Sequence, residues 1–325
     1  MDINYLLILQ SFRTITHNLF DNLFLFITAL GEDFLLMTII AGIYWCIHKK
    51  TAVCLLFSFH LSNFVNQIIK ITACVYRPWI RDPRILPVES AKPGASGYSF
   101  PSGHTAKAVA VWGGLALFNF KDYKKLRYFL IFLFLLVGFS RNYLGVHTPQ
   151  DVLVSLLLGL PILLLVRYLI TWIDKSGKYD LIIMIGGILL SAILIFYAKT
   201  KNYPLDYVGD QILVNPSQMI NGAFRAGGGM TGFLCGFILD RKLIHFDETS
   251  GDWKDKIFRF LLGMAGLVLM FKTVPGITAL FVSGGKYAFI NGALIPFYIT
   301  AGLPFFVSGI ASRLSTTCGK HPCHD

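Results

Sequence analysis

Charge is scarce in this sequence. Only 14% of its 325 residues are Asp, Glu, Lys or Arg, against about 25% in ordinary soluble domains. With 54% hydrophobic residues and a mean hydropathy of +0.60, the chain carries more apolar surface than a soluble core can hide. That excludes an ordinary water-soluble domain and points to a polytopic membrane protein. A secretory leader is lacking too: "MDINYLLILQ" has no basic n-region and no small-residue cleavage site, so the first apolar segments are expected to stay in the mature protein. Internal repeats are not visible. No P-loop is present, because the glycine run Ala226–Met230 is not followed by Lys-Ser/Thr. Gly228, Gly232 and Gly236, four apart, instead leave a smooth helix face suited to close packing. Cys46, Cys54, Cys74 and Cys235 lie in or beside apolar runs and read as small packing residues. Cys318 and Cys323 flank His321 and precede His324, but the loose spacing in a terminal tail does not make a structural metal site.

What is present is a series of apolar segments. A membrane-spanning helix takes about 17–25 mostly apolar residues. Nine segments qualify as candidates: 33–48, 52–71, 104–119, 127–143, 150–170, 180–198, 218–239, 257–272 and 286–311. Residues 5–30 are apolar but broken by Arg13, His17, Asn18, Asp21 and Asn22, which fits an interfacial amphipathic helix better than a span. The expected fold class is therefore all-α, a polytopic integral membrane helical bundle of about nine transmembrane helices. The net charge of +11 sits in short loops between apolar runs, so it is read as a membrane-orientation signal and nucleic acid is not expected as a partner. Lys49 and Lys50, then Lys121, Lys124, Lys125 and Arg127, then Lys175 and Lys178, then Arg241, Lys242, Lys254 and Lys256 fall in alternate loops. These loops share one face, which the positive-inside rule makes cytoplasmic. The other loops face outward.

Those outward loops hold an unusual polar set. "KITACVYRP" contains Lys70, Arg77 and Pro78. "PSGH" is Pro101 to His104. "SRNYLGVHTPQD" contains Ser140, Arg141, His147 and Asp151. Lys70, Arg77 and Arg141 offer fixed positive charge, and arginine's planar fork matches phosphate oxygens. Pro101 leads into a helix, Gly103 permits close backbone approach, and the free N–H groups of that first turn favour an anion. Ser102 adds a hydroxyl donor. Thr148 is a plausible N-cap, Pro149 suits the first helical position, and Asp151 falls in the first turn. A carboxylate on one nitrogen of His147 would set the tautomer and leave the other nitrogen free to attack. His104 remains to protonate a leaving oxygen. A transporter or receptor that merely binds an anionic headgroup would need the cations but not the His147–Asp151 pair or the second histidine.

These residues resemble the three motifs of the type 2 phosphatidic acid phosphatase superfamily: Lys70 with Arg77-Pro78, Pro101 through His104, and Ser140-Arg141 with His147 and Asp151. The resemblance covers roughly residues 33–170 and implies a six-helix membrane phosphatase core. By the resemblance, His147 forms a phosphohistidine, Asp151 orients it, and His104 protonates the leaving group and later activates water. Lys70, Arg77, Ser102, Gly103 and Arg141 hold the phosphate, and no metal or other cofactor is required. The expected organisation is an interfacial segment over 1–30, the phosphatase core over 31–198 and a three-helix membrane extension with a short cytoplasmic tail over 199–325. The expected substrate is a lipid phosphate or lipid diphosphate, such as phosphatidic acid, phosphatidylglycerol phosphate or a polyprenyl diphosphate, met at the non-cytoplasmic face of the cell membrane. A nine-helix layout also resembles the glucose-6-phosphatase branch, which keeps a soluble sugar phosphate open as the alternative, along with phosphotransfer to another acceptor.

Four further features are legible. His60, Asn63, Gln67 and Lys70 fall within about 80° of one another on a helix, a polar stripe that either lines a substrate cleft or hydrogen-bonds between helices. Lys107 either adds charge to the pocket or meets a headgroup. "WIRDPRILP", with Trp79, Arg81 and Arg84, is either a lid or a plain anchored loop. Asn291 and Lys286 stand out as polar residues without an evident role.

Overall fold

The computed structural model describes residues 2–120, 122–176 and 179–309. The tail containing Cys318, His321, Cys323 and His324 lies outside the described residues. Each of the nine expected segments is helical over most of its described residues, and positions 310 and 311 of the last lie outside them. They are α3 (Asp33–Cys46), α4 (Lys49–Ala73), a helix running from α6 (Gly103–Ala108) through a π turn at Val109–Gly113 into α7 (Gly114–Phe118), α8 (Lys124–Tyr143), α9 (Pro149–Ser176), α10 (Asp180–Thr200), α11 (Pro216–Leu239), α12 (Trp253–Lys272) and α14 (Gly284–Phe297). Short elements complete the chain: α1 (Asp2–Ile15), α2 (Asp21–Ala29), α5 (Pro78–Arg81), α13 (Val274–Phe281) and a hairpin of β1 (Tyr207–Val208) with β2 (Gln211–Ile212).

The count of spans is lower than nine by length and composition. Among the described residues, five helical stretches are long and apolar enough to cross a membrane, or up to seven if α2 with α3 and α12 with α13 each form one span bent by 43° and 42°. Two of the expected segments fall short for different reasons. The helix over 103–118 is too short, and α11 is diluted by glycines and by Gln218, Asn221 and Arg225. The N-terminal segment is two helices rather than one, broken where His17 and Asn18 adopt positive φ.

Helix α4 is the axis of the molecule. The ring Nδ1 of His48 caps its start by accepting from the Thr51 N–H at 3.1 Å. In its most apolar window 67% of residues are buried, against 17% for α10 at the periphery. Leu55 and Leu56 of α4 pack in one core with Leu36, Ile40 and Trp45 of α3, Val111, Val166 of α9 and Phe233 of α11. The C-terminal helices are joined to this core by backbone contact. A Cβ on Gly228 would lie 2.1 Å from the Phe289 carbonyl oxygen, and one on Gly232 would lie 2.1 Å from that of Ala293. Only glycine lets α11 and α14 approach so closely, as the four-residue spacing suggests.

Basic loops gather at one end of the bundle. Asp174 pairs with Lys50 at 2.6 Å and Arg241 at 3.1 Å, and Asp180 pairs with Arg241 at 3.0 Å and Lys242 at 3.1 Å. Lys49 meets Asp240 at 3.0 Å, and Asp240 also accepts from the Tyr44 hydroxyl at 2.6 Å. These are the lysines and arginines assigned to a common face from loop charge.

Candidate active site

At the other end of α4 the three motif segments converge. Lys70 sits in the last turn of α4, which stops at Cys74 in a left-handed conformation, φ 51°. Arg77 caps α5, with Pro78 at its first position. Ser102 caps the helix that begins at Gly103, its Oγ accepting from the Thr105 N–H at 3.4 Å and the Thr105 hydroxyl at 2.9 Å. The third segment turns at Gly145, φ 73°, where a Cβ would lie 3.1 Å from the Pro87 Cα, so both the conformation and the space call for glycine. Thr148 and Asp151 then start α9 reciprocally: the Asp151 N–H donates to Thr148 Oγ1 at 3.4 Å, and the Thr148 N–H donates to Asp151 Oδ2 at 2.8 Å.

Lys70, Arg77, Gly103, His104 and His147 line a single cavity of about 420 Å³. Its wall holds four cationic side chains (Lys70, Arg77, Lys107 and Arg225) and no carboxylate, an environment that favours an anion. Asp151 lies behind His147 and is buried. Ser102 and Arg141 are also buried and stand outside the lining. Arg141 donates through Nη1 to Thr28 Oγ1 at 2.7 Å, while its Nε and Nη2 find no hydrogen-bond partner, so two donors of a buried guanidinium remain free.

The hydrogen bonds of His147 define its tautomer. Its Nδ1 faces Asp151 Oδ2 at 3.2 Å, and a carboxylate only accepts, so Nδ1 carries the hydrogen. Its Nε2 faces Arg77 Nη1 at 2.9 Å, and a guanidinium only donates, so Nε2 presents a lone pair. Burial, reinforced by the Arg77 guanidinium, pushes the imidazole well below the usual histidine value, against the weaker opposing pull of Asp151. The ring is thus a neutral base with its lone pair beside the cavity. Arg77 is itself held rigidly, donating to Val146 O, Gly97 O and Ser96 O, each at 3.0 Å. The Lys70 ammonium donates to Tyr98 O at 3.1 Å.

Several contributors were not read from the motifs. The Ser99 hydroxyl donates to Asp151 Oδ2 at 2.5 Å. Asn142 Nδ2 donates to His147 O at 2.9 Å, and Asn66 Nδ2 to Pro101 O at 3.3 Å. Asn142 lies inside the third segment and was visible there; Ser99 carries no spacing signal. Gln218, Asn221 and Arg225 of α11 form a wall of the cavity from far along the chain. Of the polar stripe on α4, Asn63 and Gln67 line the cavity, and His60 lies deeper. Gln67 also bonds across helices, donating to Met219 O at 3.0 Å, so both readings of the stripe apply. Lys107 lines the cavity and pairs with Asp33 at 2.5 Å. The loop after Trp79 is anchored: Arg81 pairs with Asp2 at 2.8 Å, and Gln10 and Arg13 of α1 bond the backbone of Arg84 and Leu86.

A helical membrane bundle that encloses a cationic cavity with a lone-pair histidine defines a membrane protein with the charge and donors to hold an oxyanion. Comparison with known proteins gives the family. The model of the PAP2 superfamily matches residues 51–175, and that of the PAP2 superfamily phosphatase transmembrane extension matches residues 224–313. Phosphatidylglycerophosphatase B of Bacillus subtilis is 34% identical over 154 residues, covering 43% of this chain and 70% of that protein. An undecaprenyl-diphosphatase of Sulfolobus acidocaldarius is 28% identical over 156 residues, covering 46% of this chain and 72% of that protein. A probable sphingosine-1-phosphate phosphatase of Dictyostelium discoideum is 26% identical over 211 residues, covering 60% and 50% respectively. No solved structure matches. The chain belongs to the PAP2 superfamily and is a multi-pass integral membrane phosphatase.

Proposed function

We propose that the protein releases inorganic phosphate from a lipid phosphate or lipid diphosphate through a phosphohistidine on His147. The observation that carries this is the Nε2 lone pair of a neutral, carboxylate-oriented His147 opening on a cavity with four cations and no acid. Lipid phosphatases among the relatives support the substrate class.

The phosphoryl oxygens are held by Lys70, Arg77, the Gly103 backbone and Arg141. Arg77 moves its Nη1–H from His147 to a phosphate oxygen, which frees the lone pair. Arg141 and Ser102 stand behind the lining and reach the phosphate only as it seats: the Arg141 donors that lack partners supply the remaining charge, and Ser102 its hydroxyl. Nε2 then forms the N–P bond as the P–O bond to the lipid breaks, and His104 gives its proton to the leaving oxygen. His104 next takes a proton from water, whose oxygen attacks phosphorus; the N–P bond breaks and phosphate departs. Asp151 stabilises positive charge on the ring throughout. Donors gathered around the cavity before reaction, with Arg77 redirected as the phosphate seats, match the charge spread over the transferring phosphoryl group.

The catalytic unit is residues 31–198, with 199–325 as an extension and 1–30 at the interface. All nine helices from 33 onward are read as crossing the bilayer of the cell membrane, with α11 and the helix over 103–118 shielded from lipid by their neighbours. The active site faces away from the cytoplasm, because the basic loops gather at the opposite end. Phosphate release from phosphatidic acid, phosphatidylglycerol phosphate, a polyprenyl diphosphate and glucose 6-phosphate, measured on purified enzyme in one detergent, tests this reading. Release from a lipid, lowered roughly 10³-fold or more in His147→Ala, is expected. Preference for the sugar phosphate, or full activity in His147→Ala, refutes it. Label transferred to an added alcohol in place of water would identify phosphotransfer.

A further inference from the structure

The cationic cavity does not end at the motifs. A second chamber of about 280 Å³ lies between α3 and α4 of the core and the C-terminal helices. The two spaces share two wall residues, Asn63 and Arg225. Arg225 therefore stands where the phosphate cavity meets the second chamber, and it comes from the transmembrane extension rather than from any motif.

Its state is unusual. Among the described residues, the Arg225 side chain makes no hydrogen bond or ion pair, and it is exposed to these spaces. The carboxylate in the second chamber, Asp33, pairs with Lys107 at 2.5 Å; it lies within electrostatic reach of Arg225 but makes no hydrogen bond or ion pair with it. The Arg225 backbone is fixed, because α14 presses on it: a Cβ on Gly292 would lie 2.4 Å from its carbonyl oxygen. An unpaired guanidinium inside a membrane bundle is costly, and its natural partner is an anion brought by substrate. The same chamber is lined by Phe271, Ile295 and the buried His60, whose Nε2 has no hydrogen-bond partner, and by Asn291, whose amide is held by Thr278 and the Tyr287 carbonyl. That mixture of apolar surface and hydrogen-bonding groups suits the part of a lipid next to its headgroup.

We propose that Arg225 is a specificity-determining residue that binds a second phosphorus-borne negative charge on the leaving-group side of the scissile phosphate. The extension thereby selects lipids with two phosphorus centres, and the second chamber receives what lies beyond. The shared chemistry is a second phosphate anion, whether joined directly as in a lipid diphosphate or through a short polyol as in phosphatidylglycerol phosphate. The catalytic part of this inference rests on the phosphohistidine reading above; the binding part does not.

The test uses the full chain in detergent, as wild type, Arg225→Gln and Arg225→Lys. Phosphate release is measured from farnesyl diphosphate, phosphatidylglycerol phosphate and phosphatidic acid. One guanidinium–phosphate contact is a charge-assisted bond, so the preference in kcat/KM for either two-phosphorus lipid over phosphatidic acid should fall about 10- to 100-fold in Arg225→Gln. Arg225→Lys should recover part of that preference, since it keeps the charge but loses the fork. A drop for farnesyl diphosphate alone assigns the direct diphosphate, and a drop for phosphatidylglycerol phosphate alone assigns the polyol-linked one. An unchanged preference for both, even with lower rates overall, overturns the proposal. Calorimetric binding of a non-hydrolysable farnesyl bisphosphonate and the matching monophosphonate gives a second reading. The affinity ratio should fall with the same substitution, and a constant ratio overturns the proposal. If wild type hydrolyses no lipid, the phosphatase reading fails while this ratio still decides Arg225.

Discussion

Removing the Ser99 hydroxyl is the sharpest test of how His147 is positioned. Asp151 Oδ2 accepts three hydrogen bonds: from Ser99 Oγ at 2.5 Å, from the Thr148 N–H at 2.8 Å and from His147 Nδ1 at 3.2 Å. Ser99 is completely buried and is not part of the cavity wall, so Ser99→Ala takes away no contact with substrate. The two remaining donors keep the carboxylate buried and paired, so the fold should survive. What is lost is one hydrogen bond to a charged group, worth about 1.5–3 kcal/mol, together with the hydroxyl's 3.4 Å contact with His147 Nδ1. The carboxylate's hold on the ring matters most when His147 gains positive charge in the transition state, so the loss should appear in kcat. It corresponds to a fall of about 10- to 100-fold, with KM unchanged because the cavity is intact. Initial rates of phosphate release over a range of phosphatidic acid in mixed micelles measure both constants, and thermal unfolding in the same detergent checks the fold. A folded variant whose kcat stays within about twofold of wild type would refute the positioning role. A rise in KM alone would place Ser99 in substrate binding instead.

Two other expectations come from the same geometry. His147 is held well below the usual histidine value by burial and Arg77, so in substrate-free protein the ring should stay neutral at pH 6.5 and lose its lone pair only as pH falls further. Nitrogen-15 NMR of the imidazole reads this directly, and a ring that is half protonated near pH 6.5 would contradict it; because the neutral form is the folded one, this group also withdraws stability as pH drops. Gly232→Ala places a Cβ 2.1 Å from the Ala293 carbonyl oxygen, forcing α11 from α14 at a cost of about 1–3 kcal/mol, seen as a lower unfolding temperature; an unchanged temperature would show that the helices are not packed backbone to backbone.

Much of the site was legible because its parts are local and its residue types chemically narrow. The pair His147 and Asp151 lies one helical turn apart, and Thr148, Pro149 and Asp151 form a helix start whose geometry follows from spacing alone. Ser102 and Gly103 open a helix in the same way. Loop charge placed Lys50, Arg241 and Lys242 at one end, where Asp174 and Asp180 gather them. The span count was harder, because helices such as α11 and the one over 103–118 are buried by neighbours rather than by lipid, and burial by protein tolerates glycine, amides and an arginine.

Residue types and short spacings, then, were enough to read the membrane setting and to single out His147 and its carboxylate partner. Long-range packing alone decided the rest. Ser99 reaches Asp151 across 52 positions, Arg77 meets the lone pair of His147 across 70, and Arg225 joins the wall of the same cavity from a helix outside the core motifs. No period or cap records such encounters, because they join segments far apart in the chain and exist only once the helices have packed.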